Sequence, residues 1–471
     1  MEHDFDDNID EVLQFVEQFE KMLDQGEHVF LDQEAYAQVS EYYINQKEFK
    51  KAKKACNLGL SLYPYSNELM LAQAMLLCLE KKFKEALEII DKSLAFNPND
   101  IDMIYAKANA LNASGQYEKA VDLLKECLEN PSYNLAEVHF QIAHVHHKSE
   151  KFSEAILSYK KAIKLGCFDE EILFSLCGCL EEAERIVEAI PYYEEHINLN
   201  PNSFYSWYNL GCTFYKLERM EEAANAFEYT IIIKPDFSTA HFMLGDVYAN
   251  LGDFQRSEEN YNLCLNTDQV SADLYYCLAV SQENQDKFEE AIVNYKESIK
   301  LDADCSDAFF GIGVCMYELE RSFDAIHYIK KAIELDDTMP IYWLALADAE
   351  AFIGNNISAN EAYQHTTDND PACMEAWIKW GNFHYNLEEY NLAASKMITA
   401  MEELPQVADF YYRAAIYLIK ANNFKDAFFY LETGLILDFD KHEIMYEYFK
   451  SVESQKLIFK LVDRFKTEKG I

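Results

Sequence analysis

The segment from residue 139 to residue 147 holds four histidines, a residue type that often binds metal ions or moves protons. His144 and His147 are one helical turn apart, so their imidazoles are spaced to share a metal ion. His139 and His146 fall on positions where the hydrophobic pattern predicts packing, and no carboxylate or cysteine completes a ligand set. We predict that the chain has no metal site and no bound cofactor.

Cysteine and lysine also cluster, without forming a motif known for catalysis. Cys177 and Cys179 flank Gly178 and are best explained as buried thiols. Eight lysines predict a solvated face, with a site for an acidic partner as the alternative: Lys47, Lys50, Lys51, Lys53, Lys54, Lys81, Lys82 and Lys84. The sequence has no phosphate-binding loop, no Ser-His-Asp arrangement and no paired metal motif, so we predict that the protein is not an enzyme.

The charge of the chain restricts its partners. Lys and Arg number 41 against 82 Asp and Glu, which gives a net charge of −41 and a pI near 4.6. Nucleic acids and anionic lipids would both be repelled, whereas basic or apolar protein segments would be attracted. The 63 Phe and Tyr residues argue against disorder.

The cellular compartment is predicted from segments that the sequence lacks. The first ten residues, MEHDFDDNID, have neither the basic nor the apolar region of a secretory signal. No apolar run reaches the length of a membrane span; the best candidate, residues 341–353, contains Asp348 and Glu350. Twelve cysteines without framework spacing suggest free thiols, and we predict a cytoplasmic protein.

The elements that position all of these residues recur every 34 residues. Trp207, Leu210 and Gly211 are followed by Phe214, then by Ala223, Phe227 and Pro235, and the same spacing returns along the chain. One extra residue interrupts the period near residues 131–135. Apolar residues at i, i+3, i+4 and i+7 predict two helices in each unit. The units begin near residues 33, 67, 101, 136, 170, 204, 238, 272, 306, 340, 374 and 408.

This pattern resembles the tetratricopeptide repeat, whose period is 34 residues. The resemblance covers residues 33–441 and implies an all-α fold, an α-solenoid superhelix of about twelve helix pairs. Residues 1–32 and 442–471 carry apolar stripes and are predicted to be capping helices, because a solenoid needs ends with one polar face. Pro191 falls inside a predicted second helix, where we expect a kink or a late start.

The resemblance also implies which residues line a concave groove. In this family the first helix of each unit faces the groove with its fifth residue, and that row is largely aromatic here. The predicted binding residues in it are Tyr105, Phe140, Phe174, Tyr208, Phe242, Tyr276, Phe310 and Tyr412. A second row four residues further on adds Asn109, Asp246, Asp348 and Asn382. The alternative for the aromatic row is that neighbouring helices cover these rings.

Acidic residues occupy the second position of nine units, and two explanations remain open. They could form an acidic rim for a basic ligand, or they could offset the helix dipole in the first turn. The nine are Glu34, Glu68, Asp102, Glu137, Glu171, Asp273, Asp307, Glu375 and Asp409.

These observations favour a scaffold or adaptor that binds a protein segment in its groove. Two alternatives are a regulatory subunit that recruits substrate to a separate enzyme, and a peptide-sensing regulator. Residues 1–32 look too short and too acidic for the DNA-binding domain of a transcriptional regulator. Neither the partner's identity nor self-association can be predicted from the sequence.

Overall fold

A computed structural model describes residues 2–25, 31–265, 270–450 and 452–469. Within these residues every regular element is a helix. After an N-terminal helix, α1 (Glu2–Gln25), twelve helix pairs follow one another in the described chain, as the period predicts. A short tail completes the described chain, with a 3-10 turn (Asp440–Glu443), α26 (Ile444–Tyr448) and α27 (Val452–Lys469).

The first six pairs begin at the predicted positions, to within a residue or two. They are α2 (Gln33–Asn45) with α3 (Phe49–Leu62), α4 (Asn67–Leu79) with α5 (Phe83–Phe96), α6 (Ile101–Ala113) with α7 (Tyr117–Cys127), α8 (Leu135–Lys148) with α9 (Phe152–Lys164), α10 (Glu170–Glu182) with α11 (Ile190–Leu199), and α12 (Phe204–Lys216) with α13 (Met220–Ile233).

The other six pairs keep the same period. They are α14 (Ser238–Asn250) with α15 (Phe254–Cys264), α16 (Ala272–Glu283) with α17 (Phe288–Leu301), α18 (Ser306–Glu318) with α19 (Ser322–Leu335), α20 (Pro340–Phe352) with α21 (Asn356–Asn369), α22 (Met374–Asn386) with α23 (Tyr390–Glu403), and α24 (Ala408–Lys420) with α25 (Phe424–Leu437).

Local signals start and stop these helices. Asp32, Ser66 and Asp100 each accept a hydrogen bond from the backbone three residues on, which satisfies an N–H that has no partner within the helix. Each of the twelve turns inside a pair contains one residue with positive φ. It is glycine at 115, 252 and 354, and a residue with φ near 60° in the other nine turns.

The pairs pack through a small residue that lies in the second helix of eleven pairs and, as Ala189, in the 3-10 turn just before α11 in the remaining pair. This residue is Ala in eleven pairs and Ser257 in the twelfth, and none of the twelve is more than 3% exposed. In some pairs a glycine of the first helix allows the second helix to pack closely against it. A Cβ at Gly245 would lie 2.5 Å from the ring of Tyr261, so a larger residue does not fit without movement.

Pro191 delays its helix, as predicted. A 3-10 turn spans Ile186–Ala189, and α11 begins only at Ile190, with Pro191 in its first turn. Proline is tolerated there because the first N–H groups of a helix have no partner within it.

The chain divides into two compact units, unit 1 (Met1–Pro235) and unit 2 (Asp236–Ile471). In unit 1, Val16 and Phe19 of α1 are buried against Tyr36 and Tyr43 of the first pair. In unit 2, Met445, Val462 and Phe465 of the tail are buried in the core of the last pairs.

The predicted apolar stripes also include side chains outside the described part: Ile9, Val452, Leu457, Ile458 and Leu461. The division of the chain at residues 32 and 441 into caps and array remains a prediction.

Candidate protein-binding site

Three neighbouring hollows in unit 1 share residues and together form one groove, the unit 1 groove. The apolar hollow, about 580 Å³, includes Leu71, Met75, Leu79 and Tyr105. The central hollow, about 600 Å³, includes Phe140 and His144. The aromatic hollow, about 400 Å³, includes Phe174, Tyr205 and Tyr208. Asn109 lines both the apolar and the central hollow, and Glu171 lines both the central and the aromatic hollow.

The first helices of five successive pairs supply most of this lining. Their register places Tyr105, Phe140, Phe174 and Tyr208 along the groove, each at the fifth position of its 34-residue unit, on α6, α8, α10 and α12. Side chains of this size are common anchors at protein interfaces because they remove much apolar surface from water on binding. The unit 1 groove is therefore lined by a row of aromatic side chains that a bound segment can contact.

Four of the predicted rings rest on a buried ring of their own pair, at one repeated geometry. Centroid distances are 5.9 Å for Phe140 on Tyr159, 5.7 Å for Tyr208 on Phe227, 5.6 Å for Phe242 on Tyr261 and 5.8 Å for Tyr276 on Tyr295. This tilted packing fixes each ring while leaving it only half-buried.

The remaining members of the aromatic row differ from one another. Phe174 is 67% exposed and is the most accessible of the row. Phe310 is half-buried, with its centroid 4.7 Å from that of Tyr342. Tyr412 is fully buried, and its hydroxyl donates to the carbonyl of Asp438, 2.8 Å away. Its predicted place on a groove surface is therefore wrong, because the chain after α25 covers it.

In the second predicted row, some residues are accessible and others are already bonded to neighbouring side chains. Asn109 is exposed in the unit 1 groove. In unit 2, Asp348 accepts from Tyr363 at 2.7 Å and forms an ion pair with Lys379 at 2.8 Å. The Oδ1 atom of Asn382 accepts hydrogen bonds from Tyr417 and Tyr448, at 2.7 and 2.8 Å, so a ligand would have to displace a neighbour to use it.

A buried tyrosine hydroxyl paired with an inner carboxylate recurs in unit 2. Tyr261 donates to Asp246 at 2.5 Å, and Tyr295 donates to Glu283 at 2.7 Å. Burial raises the pKa of both carboxyl groups, although the hydrogen bonds from tyrosine act in the opposite direction. Glu283 lies three residues beyond the second predicted row and was not among the predicted binding residues. The only signal for it in the sequence was Tyr295, four residues after Ala291, at the position that Phe227 holds after Ala223.

We expect Asp246→Asn to raise the free energy of unfolding at pH 7. Because burial raises its pKa above 3.8, folded Asp246 binds its proton at a higher pH than the unfolded chain does. Stability is therefore lost as the pH rises through the raised pKa, and is recovered as the pH falls towards 3.8. The asparagine side chain does not ionise, so the variant does not lose this stability, and its amide oxygen can still accept the hydrogen bond from Tyr261. Urea titrations at decreasing pH should show the advantage of the variant shrinking.

Glu259→Gln is the matched control, because Glu259 is an exposed carboxylate on the same helix pair. Its replacement should leave the pH dependence unchanged. An Asp246→Asn variant that is less stable than the native chain at pH 7 would show that the charged carboxylate is favourable in the fold.

The histidines and cysteines singled out in the sequence do not converge. His144 lines the central hollow, while the Nε2 atom of His147 lies 2.6 Å from Glu182. Burial lowers the pKa of His139, His144 and His146, and so favours neutral imidazoles. In the described part of the chain, no three His, Cys, Asp or Glu side chains are grouped so as to hold a metal ion.

The thiols of Cys177 and Cys179 are buried, as predicted. Burial raises their pKa to about 12 and about 11, so both remain protonated at neutral pH and are poor nucleophiles. All twelve cysteines lie in the described residues, and none of them forms a disulfide bond.

The nine acidic second residues all lie in the first turn of a helix, as the dipole explanation requires. Among them Asp102 and Glu171 also line the unit 1 groove, so the two explanations are compatible there. In the predicted lysine cluster, Lys53 and Lys82 both form ion pairs with Glu80 at 2.7 Å.

Protein-family models match three stretches of the chain. Two tetratricopeptide repeat models match residues 208–264 and 272–305. A model described as anaphase-promoting complex, cyclosome, subunit 3 matches residues 79–162. The same helix pair and the same period extend on both sides of these matches. The chain is a tetratricopeptide repeat protein, and protein–protein interaction is the function this family suggests.

Several solved structures are similar to parts of the chain. YrrB, described as a TPR protein with an unusual peptide-binding site, is 17% identical over 39% of this chain and 95% of its own, with a TM-score of 0.35. The C-terminal part of a TPR protein from Cytophaga hutchinsonii is 14% identical over 50% and 97%, with a TM-score of 0.43. The APC/C hetero-tetramer Cut9–Hcn1 gives 12% identity over 92% and 96%, with a TM-score of 0.37.

No curated protein matches the chain. Across the described residues, none of the helices combines the length and the apolar character needed to cross a membrane.

Proposed function

We propose that this protein is a non-enzymatic scaffold that holds a segment of a partner protein in the unit 1 groove. The observation that carries the proposal is the continuity of the three hollows, which share Asn109 and Glu171. A single extended or helical segment can contact all three, and half-buried aromatic rings along the floor supply anchors for it.

The charge distribution favours a segment that is apolar with basic flanks. Leu71, Met75 and Leu79 offer apolar contacts at one end of the groove. Asp102 and Glu171 lie along its lining. Among the described residues that line the groove, Lys148 is the only one with a cationic side chain. Together with a net charge of −41, this would speed encounter with a basic segment and reject acidic ones.

The match to a subunit of a multi-protein complex also supports a scaffold. The matched residues, 79–162, include α6 and α8, which line the apolar and central hollows. A subunit that recruits substrate to a separate enzyme would use the same groove. The two roles differ in whether an enzyme copurifies in fixed stoichiometry with the intact chain.

We expect Phe174→Ala to weaken partner binding by about 2 kcal/mol, or roughly 30-fold in Kd, because an aromatic anchor is lost. Since the side chain is 67% exposed, the melting temperature should hardly change. The measurement is affinity capture with the intact chain, mass spectrometry of the captured proteins, and then titration of the partner against each variant.

Phe96→Ala is the matched control. Phe96 is 74% exposed, its ring centroid lies 5.8 Å from that of Tyr65, and it lines none of the three hollows. Its replacement should leave binding unchanged. The proposal is wrong if the Phe174 variant binds normally while replacement of Lys50, Lys53 and Lys54 abolishes binding. That result would show that the partner binds the lysine cluster and not the groove.

A further inference from the structure

The end of unit 2 holds one of its own side chains in a polar pocket. Tyr448, the last residue of α26, donates its hydroxyl hydrogen to the Oδ1 atom of Asn382, 2.8 Å away. The same hydroxyl oxygen accepts a hydrogen bond from Nη1 of Arg413 at 2.7 Å. Edge contacts with Tyr385 and Tyr417, at centroid distances of 5.2 and 6.2 Å, hold the ring.

The last two helix pairs build this pocket without help from the tail. Asn382 and Tyr385 lie on α22, while Arg413 and Tyr417 lie on α24. Tyr417 donates to Asn382 at 2.7 Å, and Asp409 binds Arg413 through its Nε atom. These contacts orient the amide oxygen and the guanidinium before any occupant arrives, which lowers the entropy cost of binding one.

The pocket selects a phenol over other side chains. A tyrosine hydroxyl can both accept from Arg413 and donate to Asn382, so it satisfies both groups with one atom. Phenylalanine would leave both groups without that partner. A carboxylate would accept from Arg413, but it would place negative charge against the Asn382 oxygen and near Asp409. Serine and threonine have no ring for the contacts with Tyr385 and Tyr417.

We propose that Asn382, Tyr385, Arg413 and Tyr417 form a tyrosine-binding site, which Tyr448 fills within the chain and which a tyrosine of a partner segment fills when the tail is displaced. This site lies in unit 2, and the proposal does not depend on the unit 1 groove.

The short helix that carries Tyr448 favours an occupant that can be exchanged. α26 has only five residues, and its peptide groups form little internal helical structure. In the 3-10 turn before it, Asp440, Lys441 and Glu443 are exposed, whereas Met445 of α26 is fully buried, so displacing the tail exposes one core side chain. Tethering gives Tyr448 an advantage in effective concentration, so a partner must bring further contacts of its own to compete.

Small phenols test the chemistry of the site in the full chain. Tyr448→Ala vacates the ring position, and p-cresol, the side chain of tyrosine as a free molecule, should bind there and raise the melting temperature of this variant. Toluene has the same ring without the hydroxyl and should have a much smaller effect. Neither compound should shift the native chain at the same concentration. Equal shifts by p-cresol and toluene would overturn the proposal, since they would indicate an apolar cavity only.

Hydrogen exchange tests whether the tail leaves the site, and does not depend on the alanine variant folding. Tyr448→Phe removes one hydroxyl, so the amides of residues 444–448 should exchange roughly tenfold faster, about 1.4 kcal/mol, with α24 unchanged. N-acetyl-tyrosinamide added to the Tyr448→Phe chain should speed the same amides further, because the tethered phenylalanine lacks the hydroxyl that the site binds, and N-acetyl-phenylalaninamide should not. Amides of α26 that stay as protected as those of α24 under both treatments would identify the tail as a permanent cap.

Discussion

Replacing Tyr261 with alanine is expected to lower the free energy of unfolding of its part of the chain by about 3–5 kcal/mol. Tyr261 is 1% exposed and fills the space beside Gly245, where even a Cβ would lie 2.5 Å from its ring. The alanine variant would leave a cavity between α14 and α15 that the helices cannot close without moving. It would also leave Asp246 without the hydroxyl that lies 2.5 Å from it.

Because repeats contact only their neighbours, this loss should remain local at first. Urea titration combined with hydrogen exchange should show α14 and α15 opening before distant pairs. Tyr261→Phe keeps the ring and removes only the hydroxyl, so it should cost about 1–2 kcal/mol. A phenylalanine variant as unstable as the alanine variant would show that the bond to Asp246, rather than the ring volume, stabilises this pair.

Arg413→Leu is expected to lower the free energy of unfolding by about 3 kcal/mol, because it breaks a partly buried ion pair and leaves one charge behind. The Arg413 side chain is 12% exposed, and that of its partner Asp409 is 22% exposed. The leucine leaves Asp409 without its cation and removes a donor from Tyr448. Thermal and urea denaturation should show the loss, and hydrogen exchange should show it spreading to α26.

The double variant Asp409→Ala with Arg413→Leu provides the control for this effect. Removing both charges avoids leaving one of them buried alone, so the double variant should recover most of the stability lost in the single variant. Additive losses in the double variant would mean that Arg413 stabilises the fold through packing and its contact with Tyr448, and not through the ion pair.

The helix pairs could be predicted from sequence because their signal is repeated. A single W-x2-L-G spacing says little, but a buried small residue in the second helix, or just before it at Ala189, returns in every pair from Ala52 to Ala427. Even the extra residue near Pro131 has a local effect only, since it lengthens the connection between α7 and α8. Short-range periodicity is enough to place elements whose contacts are mostly with their neighbours.

The candidate site was predicted less completely, for a physical reason. The position of a residue in its repeat fixes the direction of its Cβ, but the neighbouring repeat decides what covers it. Tyr412 and Phe174 share one position, yet the first is buried with its hydroxyl bonded to the Asp438 carbonyl, and the second is exposed. Asn382 and Asn109 likewise share a position, and only Asn382 is enclosed by tyrosines. Such differences depend on residues 26 to 66 positions further along the chain.

The twelve turns with a left-handed residue have a consequence for engineering the thermal tolerance of the chain. In nine of them the left-handed residue is Lys, Glu, Asp or Asn, with φ near 60°. Such a conformation costs a side-chain-bearing residue about 1 kcal/mol or more, whereas glycine adopts it freely. Replacing one of these residues with glycine would remove that cost, but part of the stability gained is offset because glycine is more flexible in the unfolded chain. These turns recur about 34 residues apart and include none of the residues of the groove or the tail, so glycine substitutions at them would change the melting temperature in small steps while leaving both unaltered.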